Sequence, residues 1–232
     1  MQNQKPKSRE HILRDWEIEI ILDEVESFRE EFIVKASLGL ATRISETTHI
    51  RLQDIDFANS EIILKDGYFC GCAYCMRAEY SKDWKKQGYY YMKSNRKKNS
   101  TEHQRVIGMS PEIKKLFQYY FKPYKIGDEK IRRESVIDMY YSPNGAYQVV
   151  HRLYQRILDK EEENPSRRKL QHKLFPHCLR ATAIRLILAK MRNEYGSADA
   201  YALSSIAGWK DIKTSMIYIS DEYGREIMKK SL

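Results

Sequence analysis

The chain has 232 residues, enough for one well-buried core or one domain with a short appendage. Its 41 Lys and Arg against 32 Asp and Glu leave a formal charge of +9, which favours a polyanionic partner, nucleic acid first. No run approaches the roughly 18 apolar residues of a membrane span, and the opening Met1-Gln2-Asn3-Gln4-Lys5-Pro6-Lys7 lacks the apolar stretch of a signal peptide. The expectation is therefore an intracellular protein without a membrane partner, whose four cysteines do not form a disulfide framework.

Between Arg14 and about Leu40, apolar residues from Trp16 to Ile33 recur near helical spacing, which predicts two helices around a short break. Three short runs rich in Ile, Val and Tyr follow, Glu61–Lys65, Gly88–Lys93 and Gln104–Met109, and predict a three-stranded antiparallel sheet. The polar stretch Lys97-Lys98-Asn99-Ser100-Thr101 marks the turn between the last two. Ser110-Pro111-Glu112 offers an N-cap, a proline at the first helical position and an early acid; Ser142-Pro143 repeats the start signal. Lys160–Lys173, with Glu161-Glu162-Glu163-Asn164-Pro165, reads as an exposed loop. Helices are predicted again at about Cys178–Arg192, Ala198–Ala207, Ile212–Ile219 and Glu222–Lys229. The fold class is α+β, mainly helical with one small antiparallel sheet.

The chemistry-bearing residues are scattered, and each has an ordinary reading. Arg43 ends an apolar segment and could simply pair with Glu46. His177 and Arg180 lie one turn apart on one helix face, where they could be a capping histidine and a solvated arginine. Trp209 after Gly208 reads as a core aromatic, and Tyr218 is one of 17 tyrosines, a poor nucleophile at a pKa near 10. Together they carry a second meaning. Attack on a phosphodiester builds negative charge on the non-bridging oxygens, and two guanidinium groups from distant parts of a chain can grip such a group from two sides.

The order of Gly39-Leu40-Ala41-Thr42-Arg43-Ile44-Ser45-Glu46, His177-Cys178-Leu179-Arg180 and Gly208-Trp209 followed nine residues later by Tyr218 resembles the tyrosine recombinase, or phage integrase, family. Thr214 and Ser215 fall where that family usually has threonine. The resemblance runs from about Arg14 to the C-terminus and implies the recombinase catalytic fold, with Arg43, His177, Arg180, Trp209 and Tyr218 as site residues. It also implies a catalytic lysine at the turn between the second and third strands: Lys98, with Lys97 and Lys93 as alternatives. The activity implied is DNA cleavage and rejoining through a 3′-phosphotyrosine, without ATP or a catalytic metal, by a dimer or tetramer on double-stranded DNA. Integrase, resolvase and transposase roles share this chemistry.

Two departures are visible. The interval from Arg180 to Trp209 is longer than usual, and Ala41-Thr42 stand between Leu40 and Arg43. Arg43 lies too early for the helical DNA-clamping domain that normally precedes the catalytic one, so the expectation for residues 1–232 is a single catalytic domain, minimal or isolated, with that N-terminal domain absent. Such a domain should hold DNA weakly and with steep salt dependence. An alternative is a DNA-binding accessory or regulatory protein that keeps the fold with little turnover. A hairpin insertion at about 66–87 carries Cys70, Cys72 and Cys75, a candidate structural zinc site with His103 or another chain as the fourth ligand. A redox-sensitive disulfide or three free thiols are the alternatives.

Overall fold

The break predicted in the first apolar stretch falls at Glu24–Ser27, between α1 (Asp15–Asp23) and α2 (Phe28–Leu40). Ser27 starts α2 by accepting the Glu30 amide at 3.3 Å, and Phe32, Ile33, Ala36 and Leu40 form its buried face. Each such fully buried Phe, Ile or Leu contributes about 1.5–3 kcal/mol. The computed structural model describes residues 8–65, 104–126, 129–131, 133–209 and 211–220. It divides into two units, one of residues up to Arg43 together with those from Val150 onward, the other of Ile44–Val149.

In the first unit, α2 packs on α7 (Pro176–Tyr195). Every residue from Cys178 to Ile184 is buried, so the first half of this helix runs through the core rather than along its surface. A buried hydrogen bond from the Leu13 amide to the Thr182 hydroxyl, 2.9 Å, ties the approach to α1 onto it. α7 stops where Gly196 takes a left-handed conformation (φ 72°). Asp199 then caps α8 (Ala200–Ala207) by accepting the amides of Tyr201 and Ala202, and Gly208 (φ 64°) ends it. Asp211 accepts the Lys213 amide at 2.9 Å and opens α9, residues 212–220. The predicted helix Glu222–Lys229 lies outside the described residues.

Of the stretch Lys160–Lys173, residues 164–173 form the expected loop and most of them are exposed, while its first residues instead close a helix and several side chains are braced against the fold. α6 (Pro143–Glu163) continues into the stretch, and Glu161 is buried and accepts the Leu170 amide at 2.7 Å. The rest is held by acids of the first helices: Glu24 pairs with Lys160 and Arg167, and the fully buried Glu17 accepts the amides of Gln171 and His172 and the His172 ring. Lys160, Arg167 and His172 have partners more than a hundred residues away in the chain, which a count of polar residues does not reveal.

In the second unit, a three-stranded antiparallel sheet runs in the order β1 (Ile55–Asp56), β2 (Glu61–Lys65), β3 (Gln104–Gly108). Ile62 pairs with Ile107 and both are buried, while Val106 opposite Ile63 is half exposed, the alternation of a one-sided sheet. The strand predicted at Gly88–Lys93 lies outside the described residues, and the two-residue β1 was not anticipated. Nor was the hairpin β4 (Tyr124–Ile126) and β5 (Glu129–Ile131). Ser110 caps α4 (Pro111–Tyr120) as predicted, with the Ile113 amide at 3.3 Å. Behind it, the buried Tyr120 hydroxyl donates to the Ser135 carbonyl at 2.8 Å, and Arg105 pairs with Glu46 of α3 (Ile44–Thr48) at 3.1 Å. A short helix, α5 (Ile137–Tyr140), precedes Ser142, which caps α6 through the Gly145 amide at 2.9 Å. A Cβ on Gly145 would collide with the Tyr140 carbonyl oxygen, so this helix start admits glycine alone.

Candidate active site

Helix ends and turns of the first unit deliver five groups to a shared concavity, two of them from the start of one helix. α2 ends at Ala41, a buried alanine in the left-handed region (φ 52°), a conformation that costs a non-glycine residue roughly 1–2 kcal/mol. The packing that enforces this turn fixes where Arg43 leaves the helix. Pro176 starts α7, so His177 lies in its first turn and Arg180 one turn on. Gly208 bends the chain out of α8, and the Trp209 amide bonds back to the Ser204 carbonyl at 2.9 Å. Tyr218 sits on α9, with its ring stacked on Trp209 at 5.1 Å between centroids and 26° between planes.

The concavity has a volume of about 380 Å³ and is lined by Arg43, His177, Arg180, Ala181, Trp209, Thr214, Ile217 and Tyr218. Five of the predicted site residues are thus brought together from three distant stretches of sequence. Lys98, its alternatives Lys97 and Lys93, the cysteines Cys70, Cys72 and Cys75, and His103 lie outside the described residues. Among the described residues, no group of three His, Cys, Asp or Glu side chains is placed to hold a metal ion, and no helix is long and apolar enough to cross a membrane. Thr214 lies one turn before Tyr218 on the same face of α9, and Ile217, next to Tyr218, borders that face. Reading helical spacing back from Tyr218 would have found Thr214 as a lining residue.

Electrostatics separates the groups by task. Arg180 is buried, and its Nη2 donates to the Ala207 carbonyl at 2.6 Å, a bond to the C-terminal end of α8 where helix carbonyls lack intrahelical partners. That contact orients the guanidinium. Desolvation of its ring first, then the positive charges of Arg180 and Arg43, hold the His177 pKa below the ordinary 6.5. The ring is accordingly neutral near pH 7. Cys178, in the middle of the same motif, is no nucleophile: it is fully buried, its Sγ accepts the Phe175 amide, and burial pushes its pKa up to about 12. Tyr218 is half-buried, packed with Trp209 and Ile219 against the core cluster of Ala41, Ala183, Ile184, Leu188, Leu203 and Ala207.

This mainly helical chain with its small three-stranded antiparallel sheet has the fold of the tyrosine recombinase catalytic domain. Among solved structures it is similar to XerA recombinase, with a TM-score of 0.54 and 16% identity over 98% of this chain and 66% of that one. The Tn1549 transposon integrase in complex with transposon right end DNA gives 0.54 and 17% over 99% of this chain and 68% of that one. XerH recombinase bound to a palindromic difH substrate gives 0.50 and 14%, covering 55% of its length. The chain therefore spans about two thirds of the first of these proteins, and roughly half of the last. No protein-family model matches the chain, and no curated protein does.

Proposed function

We propose that the chain is a DNA strand transferase that cleaves and rejoins double-stranded DNA through a 3′-phosphotyrosine. The observation that carries this reading is the convergence of Arg43, His177, Arg180, Trp209 and Tyr218 on one concavity. A scissile phosphate held by Arg43 and Arg180 has its developing charge met by planar, permanently ionised donors, one of them already oriented by the Ala207 carbonyl. The Tyr218 Oη attacks phosphorus; the P–Oη bond forms as the bond from phosphorus to the 5′-oxygen breaks. The phenolic proton passes to His177, whose depressed pKa keeps it neutral and able to accept. The 5′-oxygen leaves as a hydroxyl, with Lys98 assigned as its proton donor on the family resemblance.

Because the phosphodiester energy is kept in the phosphotyrosine, a 5′-hydroxyl of another strand reverses the attack, and neither ATP nor a catalytic metal is needed. Exchange between duplexes then calls for two or more protomers on DNA, acting inside a cell. Trp209 walls the concavity and holds the nucleophile's ring by stacking. A duplex with a nick beside the scissile site traps the covalent step. Wild-type protein should give a protease-sensitive protein–DNA adduct and Tyr218→Phe none. If wild-type protein gives no adduct on cognate DNA, the fold serves binding alone.

A further inference from the structure

Ser215 is a polar residue with none of its surface exposed, three positions before Tyr218 on the same helix. A hydroxyl removed from water needs a partner or costs about 1–3 kcal/mol. Its partner is the Ser204 hydroxyl of α8, at a short hydrogen-bond distance. Ser204 serves a second purpose, because its carbonyl takes the Trp209 amide at 2.9 Å. One residue therefore holds both the backbone that presents Trp209 and the helix that presents Tyr218. The Trp209 stack and the packing of Ile219 against Leu203 and its neighbours are apolar contacts, which do not by themselves fix how far the helix slides or turns. A hydroxyl pair does, since its bond is short and directional.

We infer that Ser204 and Ser215 are positioning residues: their hydroxyl pair sets the axial position and rotation of α9, and through them the placement of the Tyr218 Oη in the concavity of its own chain. Residues three apart on a helix share a face, so anchoring Ser215 fixes the direction in which Tyr218 projects. The inference rests on the strand-transfer reading for its kinetic consequence, though the anchoring itself does not.

The test is single-turnover adduct formation on nicked DNA. Ser204→Ala and Ser215→Ala should each slow it about three- to tenfold, the range set by one hydrogen bond. The double variant should be no slower than the slower single one, because both remove the same bond. DNA affinity should stay unchanged, and Ser204→Thr, which restores a hydroxyl, should recover the rate. In DNA-free protein, hydrogen exchange of residues 212–220 should rise in both alanine variants while α7 keeps its protection. Unaltered rates, a double variant with the product of the two single effects, or a parallel loss of DNA affinity would each overturn the inference. If wild-type protein forms no adduct, the strand-transfer reading falls, and hydrogen exchange still decides whether the pair anchors the helix.

Discussion

Charge is handled in opposite ways in two parts of the same unit. Along α1 and α2, buried carboxylates are enclosed by donors of their own chain: Glu17 by the amides of Arg14, Gln171 and His172 and the His172 ring, Glu24 by Lys160 and Arg167, Glu30 by Arg156. At the concavity the sign is reversed. Its lining gathers the exposed Arg43 and the buried Arg180, with a neutral His177 beside them, around an open concavity and includes, among the described residues, no carboxylate. Enclosed charge ties segments that are far apart in sequence, and its worth is stability. Charge gathered at an open surface is suited to an anion from outside, the phosphodiester on the reading proposed above. If that division is right, substitutions in the two regions should affect different measurements.

The largest separation is expected at Arg180. Arg180→Gln removes a planar charged donor from the site, and the loss of one such donor typically costs about 10²–10³-fold in rate. Loss of its bond to the Ala207 carbonyl should cost about 1 kcal/mol of stability, far too little to account for such a rate loss. Single-turnover adduct formation and urea denaturation, run on the same preparation, give both numbers. A stability loss large enough to account for the rate loss would erase the distinction between the two regions.

Glu17→Ala should invert the pattern. It strands three backbone amides and an imidazole around a fully buried site, so about 3 kcal/mol or more of stability should go. The surviving folded fraction, assayed well below its melting temperature, should form adduct within a few-fold of wild type. A catalytic loss as deep as that of Arg180→Gln would mean that the segment before α7 sets the chemistry as well as the fold.

How much of this was legible in the sequence depended on the range of the interaction. Starts at Ser110-Pro111 and Ser142-Pro143 were readable because a cap and the amide it satisfies lie three residues apart. The two-residue β1 was not, since so short a strand has no period. The braces in Lys160–Lys173 were hidden for the opposite reason: their carboxylates come from α1 and the turn after it, more than a hundred residues upstream. The site was legible as an ordered set of motifs, because Arg43, His177, Arg180, Trp209 and Tyr218 keep a recognisable spacing. The Ser204–Ser215 pair was not, since two serines on different helices carry no signal until the helices pack. Cys178, inside the best motif, would have misled a search for nucleophiles; only burial shows that it is inert.

Acid should separate the two regions with the smallest perturbation of all. Burial pushes the Glu17, Glu24 and Glu30 carboxyls up, but their hydrogen bonds and cationic partners outweigh it and leave each pKa below the ordinary 4.5. Groups lowered on folding contribute stability that is complete above 4.5 and lost as pH falls through the depressed values. On the strand-transfer reading His177 loses its part in the same direction but from an ordinary value of 6.5: neutral and able to accept a proton above its own depressed pKa, protonated and blocked below it. Adduct formation should therefore fall on an acidic limb whose midpoint lies below 6.5, while melting temperature declines only shallowly over that range, as the lowered pKa values of His177 and His11 cost stability there, and steeply once the pH drops under 4.5. His177→Gln should be slower throughout and lack that limb, with the shallow decline in melting temperature reduced and the steep loss under 4.5 retained. A limb that persists in His177→Gln would assign the proton to another group, and a limb that coincides with unfolding would show that acid reaches the enclosed carboxylates before the site.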